Sequence, residues 1–286
     1  MLPDFLNLGV ARCGTSWLHN LLDSHPNVYV PKRRKEVHFF CNHYEKGLEW
    51  YKGFFPQKEY EDRYHAVGEV AVHYLMDHNK SAKRIADVGS VERIMVMVRD
   101  PVERAWSHYH WKTGVNESSK TLREKAKEVP MIINSGLYAT GLRTYENYFD
   151  RSNILILKSE ESFQNVDKTK KRVANFLNVD EEKFPEDAGK ERVNEQAAPR
   201  FGWLSEMASL LSYKLRMRDL DWISNAVKRT GLKRVLMKQE EKEKEEISQK
   251  DFRWLVSQYE EEVRELEKSF GVDTSDWRDS WHERIS

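Results

Sequence analysis

The chain has 286 residues, and its 47 basic and 47 acidic side chains balance to a formal net charge of zero. This balance gives no general attraction to nucleic acid or to an anionic membrane surface, so neither is a predicted partner. With a mean hydropathy of −0.78, no apolar run near the roughly 20 residues of a membrane span and no signal-peptide pattern, we expect a cytoplasmic protein.

Apolar segments alternate with amphipathic ones along the first two thirds of the chain, which indicates an α/β fold with a mainly parallel sheet. The predicted strands cover residues 5–10, 91–98 and 153–158. The predicted helices cover residues 15–22, 101 to about 111, and about 166–177. Residues 203–270 contain no convincing strand, and apolar residues from Phe252 onward recur with a helical period. We therefore predict a central sheet flanked by helices over about residues 1–200 and a helical carboxyl-terminal part over about 201–286.

The first predicted strand runs into a glycine loop, GVARCGTS, at residues 9–16. The glycine spacing is that of a P-loop, but Thr15 stands where such loops carry lysine, and Arg12 is the one cation inside the loop. A strand–loop–helix unit points backbone N–H groups at an anion, and the hydroxyls of Thr15 and Ser16 can donate as well. Because the lysine and a clear magnesium carboxylate are both missing, we predict one 5′-phosphate as ligand rather than a triphosphate–metal complex. A plain structural turn is the alternative.

An arginine and a serine follow the central strand within MVRDPVERAWSHYHW, residues 97–111. Open α/β sheets bind ligands at the carboxyl ends of their strands, which puts Arg99 near the glycine loop if the two strands are neighbours. A second phosphate would then fit between the guanidinium of Arg99 and the hydroxyl of Ser107. The alternative is that Arg99 pairs with Asp100 or Glu103 and that Ser107 is an ordinary helix serine.

Together these two segments resemble the donor-binding elements of the sulfotransferases that use 3′-phosphoadenosine 5′-phosphosulfate (PAPS). The 5′-phosphosulfate loop of that family is matched by residues 12–16, RCGTS, and its 3′-phosphate element by Arg99 and Ser107. The segment KEVHFF, residues 35–40, is similar to the one that carries the catalytic glutamate in the heparan-sulfate-type branch. Two later segments, residues 135–149 and 192–200, look like landmarks of bacterial members. The resemblance extends from about Asp4 to Trp277.

The resemblance implies a P-loop-like three-layer fold that forms one sulfotransferase domain over residues 1–286. It implies PAPS as donor, 3′-phosphoadenosine 5′-phosphate (PAP) as product, no metal, and in-line transfer of the sulfuryl group to a hydroxyl or amine of a carbohydrate or small-molecule acceptor. The residues that it implies for donor binding are Arg12, Cys13, Gly14, Thr15, Ser16, Trp17, Arg99, Ser107, Tyr138, Lys190 and Arg192.

By the same resemblance, Arg12 stabilises the leaving 5′-phosphate and Glu36 is the general base. We expect burial beside the apolar residues 37, 39 and 40 to raise the pKa of Glu36 toward neutrality. His38 is the competing base, because the ordinary pKa of histidine lies near neutrality.

The sequence departs from the heparan-sulfate-type branch at Val70, where that branch carries a second lysine near the sulfuryl group. Lys32, Lys35 or His73 is a possible replacement, unless Arg12 acts alone. The basic run at residues 32–35 is either a solvated turn or a binding site for an anionic acceptor. Two other functions stay open: a P-loop small-molecule kinase, and a domain that binds nucleotide or a partner without turnover.

Overall fold

Five parallel strands form the centre of the molecule in a computed structural model that describes residues 1–57, 62–113, 120–190 and 246–286. The strands are β1 (Phe5–Asn7), β2 (Val28–Tyr29), β3 (Ala66–Val70), β4 (Arg93–Val98) and β5 (Ile154–Lys158). Their order in the sheet is β2-β3-β1-β4-β5. Since β1 pairs with β3 on one side and with β4 on the other, the direction of winding changes beside β1. Ligands of open α/β sheets bind at such a switch point.

Helices cover both faces of this sheet, and short π and 3-10 turns connect several of them. The helices in the described residues are α1 (Thr15–Ser24), α2 (Gly47–Lys52), α3 (His78–Val88), α4 (Pro101–Thr113), α5 (Leu122–Glu128), α6 (Met131–Asn134), α7 (Tyr138–Glu146), α8 (Ser159–Gln164), α9 (Val166–Leu177), α10 (Gln249–Phe270) and α11 (Ser275–Ile285). None of these helices is both long and apolar enough to cross a membrane.

The predicted α/β class with a mainly parallel central sheet is confirmed. Strand β1 ends at Asn7, earlier than predicted, although Leu8 and Val10 still donate to the carbonyls of Met95 and Met97 at 2.8 and 3.2 Å. Strands β2 and β3 were not among the predicted strands. The first has only two residues and the second carries a buried glutamate, so neither gives the apolar run by which the others were found.

The carboxyl-terminal part that the structure describes packs on the α/β core. Helix α10 buries an apolar stripe that includes Phe252, Tyr259 and Phe270 and lies against α4 and α7, in agreement with the helical period of the sequence. Helix α11 reaches the loop after β4, where the indole Nε1 of Trp281 donates to the Asp100 carboxylate at 3.0 Å. The extension is thus tied to the edge of the sheet where β4 ends.

Candidate active site

The glycine loop leaves the amino-terminal end of α1 open. Gly14, the residue before the helix, has a left-handed backbone (φ 85°), and a Cβ there would come within 2.5 Å of the Phe163 ring. No side chain caps the helix and no acidic residue lies in its first turn. Its first N–H groups therefore have no partner within the helix, and the helix dipole adds positive potential. This geometry is suited to binding an anion.

The two predicted phosphate-binding segments are in direct contact. Nε of Arg12 donates to the hydroxyl of Ser107 at 3.0 Å, and Arg12 itself has a left-handed backbone (φ 72°). The contact exists because β1 and β4 are adjacent and parallel, so the loops after them lie side by side. Arg99 stands at the end of β4, and its nearest carboxylate contact is a loose one with Glu103 at 3.8 Å.

Guanidinium groups accumulate at this edge of the sheet. Burial lowers the pKa of Arg12, and the charges of Arg99 and Arg104 lower it further. Arg104 is fully buried. It contacts the His108 ring at 3.3 Å, the carbonyl of Ile132 and, at 3.4 Å, the Tyr259 hydroxyl. Among the described residues, neither Arg12 nor Arg104 forms an ion pair with a carboxylate. These guanidinium groups place positive charge beside the open end of α1.

Three of the predicted donor-binding side chains lie beneath the loop and support it. Tyr138, 1% exposed, donates to the carbonyl of Arg99 at 2.9 Å and lies 3.6 Å from the buried thiol of Cys13. Trp17 is also buried, and its indole donates to the carbonyl of Gly189 at 2.8 Å. This bond fixes the backbone next to Lys190. Arg192, the other predicted residue of that segment, lies outside the described residues.

The segment with the predicted base meets the first turn of α1. Nζ of Lys35 lies 2.8 Å from the hydroxyl of Ser16 and 3.5 Å from Oε1 of Glu36. The other carboxylate oxygen of Glu36 is 3.3 Å from Nε2 of His38. The His38 ring stacks on that of His73, with centroids 4.8 Å apart and planes 12° apart. The loop hydroxyl, the amine, the carboxylate and two imidazoles thus form one continuous set of contacts.

The expectation of a raised pKa for Glu36 is wrong. Burial does raise it, but the hydrogen bond with His38 and the charge of Lys35 outweigh burial and lower the pKa of Glu36 to about 2. The apolar neighbours do not surround the carboxylate, because their side chains point into the core and are 0% exposed, whereas that of Glu36 is 25% exposed. Burial and the charge of His38 lower the pKa of His73 to about 4. At neutral pH Glu36 is therefore ionised and His73 is neutral.

Sequence reasoning missed Glu69, which fixes the backbone around the base. Its Oε1 accepts the N–H groups of Val37 and His38, both at 2.9 Å. Its Oε2 accepts the hydroxyls of Tyr51 at 2.7 Å and Tyr74 at 3.0 Å. Burial raises the pKa of this carboxyl. The signal in the sequence was an acidic residue inside an otherwise apolar strand.

The cations proposed to replace the lysine at Val70 have different surroundings. Val70 itself is fully buried in β3. Lys32 has a 70% exposed side chain and pairs with Asp23 of α1 at 3.0 Å, and the neutral His73 stacks on His38. Only Lys35, of these three, contacts both the loop and Glu36. No group of three or more His, Cys, Asp or Glu side chains in the described parts of the chain is arranged to hold a metal ion.

Comparison with known proteins places these observations in a family. Residues 2–197 match the family model described as "Sulfotransferase domain". Over 110 residues the chain is 32% identical to the membrane-associated sulfotransferase kil1 of Dictyostelium discoideum, a match that covers 38% of this chain and 23% of that protein. Over 199 residues it is 30% identical to the bifunctional heparan sulfate N-deacetylase/N-sulfotransferase 4 of Mus musculus, covering 62% of this chain and 22% of the relative.

The same fold is present in a solved structure, a sulfotransferase from Alicyclobacillus acidocaldarius. The TM-score is 0.62 at 22% identity, and the superposition covers 97% of this chain and 99% of the other. The two curated relatives are much longer proteins, of which the matched regions span less than a quarter.

Proposed function

The chain belongs to the sulfotransferase family, and we propose that it transfers a sulfuryl group from PAPS to a hydroxyl or amine of a carbohydrate or small-molecule acceptor. One observation carries the proposal: the uncapped amino-terminal end of α1, with its glycine loop, and the Glu36 carboxylate lie at one edge of the sheet. Arg12 contacts Ser107 there, and Lys35 contacts both Ser16 and Glu36.

The residues at this edge fit a donor with two separate phosphate groups. The guanidinium groups of Arg99 and Arg104 lie close enough to Arg12 for their charges to lower its pKa, after the larger effect of burial. Like charges that are partly removed from water repel each other. A bound dianion would relieve this repulsion, and the free N–H groups of the first turn of α1 would add hydrogen bonds to it.

We assign the donor's two ends to the two loops. Arg12 and the first turn of α1 would hold the 5′-phosphate, while Arg99 and Ser107 would hold the 3′-phosphate. Lys190 stands beside the Gly189 carbonyl that Trp17 fixes, and it would add charge from the adjacent segment together with Arg192. Cys13, Gly14 and Thr15 would act through the backbone and, for Thr15, its hydroxyl.

When bound, PAPS supplies the sulfuryl group, whose sulfur bonds to the acceptor oxygen or nitrogen as its bond to the 5′-phosphate oxygen breaks and PAP is left. Glu36 takes the acceptor's proton on its carboxylate; because the pKa of Glu36 is lowered to about 2, the proton moves late, once bonding to sulfur has made the acceptor group acidic. Arg12 carries a charge that does not titrate and stabilises the negative charge left on the 5′-phosphate. Glu69 and His38 keep the Glu36 carboxylate in place.

Incubation with PAPS labelled in the sulfuryl group, together with fractionated glycans and small phenols, alcohols and amines, tests the proposal. Mass spectrometry should find the added sulfuryl group on one acceptor class, and PAP should raise the melting temperature more than AMP. ATP-dependent, magnesium-dependent phosphorylation would replace the proposal with the kinase. Nucleotide binding without transfer to any acceptor, and without release of PAP from PAPS, would replace it with the non-catalytic domain.

A carbohydrate acceptor draws support from the heparan sulfate named in the description of the murine relative. We also propose a cytoplasmic location, for which the free thiols of Cys13 and Cys41 are suited. Fluorescence of a tagged full-length chain in its own cells tests the location.

A further inference from the structure

We infer that Lys35 is a catalytic cation, contacting the sulfuryl oxygens at the point between the glycine loop and the base. The inference rests on the proposed function and adds a residue that the two matched donor-binding segments do not contain. It starts from the position of the amine, which lies 2.8 Å from the Ser16 hydroxyl in the first turn of α1 and 3.5 Å from Glu36.

The position matters because the transferred group must travel between those two partners. The loop holds the 5′-phosphate, the leaving side of the reaction, and Glu36 marks the acceptor side. Lys35 is the described residue whose cationic group contacts both sides. Its side chain is 28% exposed, so it is not sealed in the core.

The surroundings also favour a ligand for this amine. An ammonium group has three N–H donors. The described contacts are to one hydroxyl, at 2.8 Å, and to one carboxylate oxygen at the long distance of 3.5 Å. Burial lowers the pKa of Lys35 while Glu36 opposes that effect. A sulfuryl oxygen beside the amine would add a short, charge-assisted hydrogen bond that PAP cannot provide.

The neighbouring Lys32 offers a matched control. It belongs to the same basic run, but it is exposed and paired with Asp23. Removal of either charge changes the net charge of the chain by the same amount. Any general electrostatic effect on an anionic nucleotide should therefore be similar in Lys32→Gln and Lys35→Gln.

The experiment compares PAPS with PAP on wild type, Lys35→Gln, Lys35→Arg and Lys32→Gln by calorimetry, using short incubations or a non-transferable PAPS analogue. Loss of a charged hydrogen bond lowers affinity by about 10- to 100-fold. Lys35→Gln should therefore bind PAPS more weakly by that factor, while its affinity for PAP stays near that of wild type. Turnover of PAPS, with acceptor or with water, should fall by about 10²-fold, as when one oxyanion donor is removed. Lys35→Arg should recover a large part of both.

The pH profile gives a second readout. If the ammonium is needed, the wild-type rate should fall as pH rises through the lowered pKa of Lys35, and this descending limb should be absent in Lys35→Arg. A purely structural lock on Glu36 would leave the difference between PAPS and PAP affinity unchanged.

Two failures can be told apart. If Lys35→Gln matches Lys32→Gln in PAPS affinity and turnover while the wild type is active, this inference is overturned and the proposed function stands. If the wild type neither binds PAP nor turns over PAPS, the proposed function itself fails. Should Lys35→Gln unfold, as judged by its melting temperature, the arginine variant and the pH profile decide.

Discussion

Arg12 and Ser107, 95 positions apart in the chain, are joined by a hydrogen bond of 3.0 Å from the guanidinium Nε to the hydroxyl. The bond links the loop after β1 to the helix after β4, which are the two segments that we assign to the donor's 5′- and 3′-phosphates. A ligand that binds one segment therefore acts on a side chain of the other. We expect the two phosphate contacts to be coupled.

The first prediction concerns the 3′-phosphate. Arg99→Ala should lower the affinity for PAP by about 10- to 100-fold, the range expected for a charged hydrogen bond. It should change the affinity for AMP little. Calorimetry with both nucleotides measures the difference. Arg143→Ala is the control, because this exposed arginine of α7 pairs with Glu265 instead. Equal binding of PAP and AMP by the wild type would contradict the assignment of Arg99 and Ser107.

The second prediction concerns Arg12. Arg12→Ala removes both the charge and the Nε donor to Ser107, so turnover should fall more than PAP affinity does, because the charge matters most when negative charge builds on the leaving oxygen. Steady-state kinetics give the two parameters. A loss confined to the Michaelis constant would make Arg12 a uniform binding residue. Chelators should leave the rate unchanged, and strict dependence on magnesium would speak for the kinase instead.

The sequence was sufficient to predict the α/β class and the position of Arg99 directly after a buried strand, because both depend on local pattern. The phosphate-binding roles of the glycine loop, Arg99 and Ser107 stay predictions. The sequence did not reveal that Arg12 and Ser107 touch, since this depends on which strands are neighbours. It also gave the wrong direction for the pKa of Glu36. Neighbours in sequence need not surround a side chain: residues 37, 39 and 40 turn into the core, while Lys35 and His38 contact the carboxylate.

Glu69 is the clearest case of a residue whose role only the fold explains. In sequence it is one glutamate in an apolar segment, and its partners at residues 37, 38, 51 and 74 are separated from it by up to 32 positions. Tertiary structure brings four donors onto one carboxylate.

The third prediction follows from that arrangement. Glu69→Gln leaves one acceptor oxygen for four donors, because the second carboxylate oxygen is replaced by an NH2 group that faces donors. A buried polar group without a partner costs about 1–3 kcal/mol. We expect that loss of unfolding free energy together with a lower kcat, because the backbone of residues 37–38 carries Glu36. Chemical denaturation and kinetics measure both. Tyr51→Phe removes one donor to Glu69 and leaves both carboxylate oxygens in place, so it should affect kcat much less. Equal effects of the two variants on kcat would show that Glu69 does not position Glu36.

The fourth prediction concerns the tie between α11 and the loop after β4. Burial raises the pKa of Asp100 to about 7, although the hydrogen bonds from Trp281 and from the backbone of residues 102 and 103 act to lower it. The folded protein thus holds a proton that the unfolded chain releases near pH 4, so this group makes the folded state less stable as pH rises from about 4 to 7. Above pH 7 the carboxylate is ionised and its bond to Trp281 is charge-assisted.

Trp281→Phe should therefore destabilise the protein by about 1–3 kcal/mol at pH 8, as expected for a buried acceptor left unpaired, and by less at pH 6. Trp277→Phe is the matched control, because Trp277 is also buried in α11 but its indole N–H has no partner among the described residues. Denaturant unfolding at both pH values gives the comparison. Equal losses in the two variants at every pH would show that the Trp281–Asp100 bond contributes nothing.

The last prediction decides which group is the base. Glu36→Gln keeps the shape of the side chain but cannot accept the proton, so turnover should fall by roughly 10²- to 10⁴-fold while PAP affinity stays near that of wild type. His38→Asn should cost much less. The loss should be confined to kcat, because no contact that we assign to the nucleotide involves the Glu36 carboxylate.

The pH profile distinguishes the two candidates more sharply than the size of either loss. Since the pKa of Glu36 is lowered to about 2 from an ordinary 4.5, its carboxylate is ionised at every pH above about 4. A rate that depends on this base should be flat from pH 5 to 7, with no ascending limb near neutrality. An ascending limb between pH 5 and 7 would therefore come from a group other than Glu36. If such a limb persists in Glu36→Gln and disappears in His38→Asn, His38 is the base. Glu36 would then serve to orient the imidazole through the 3.3 Å contact between them.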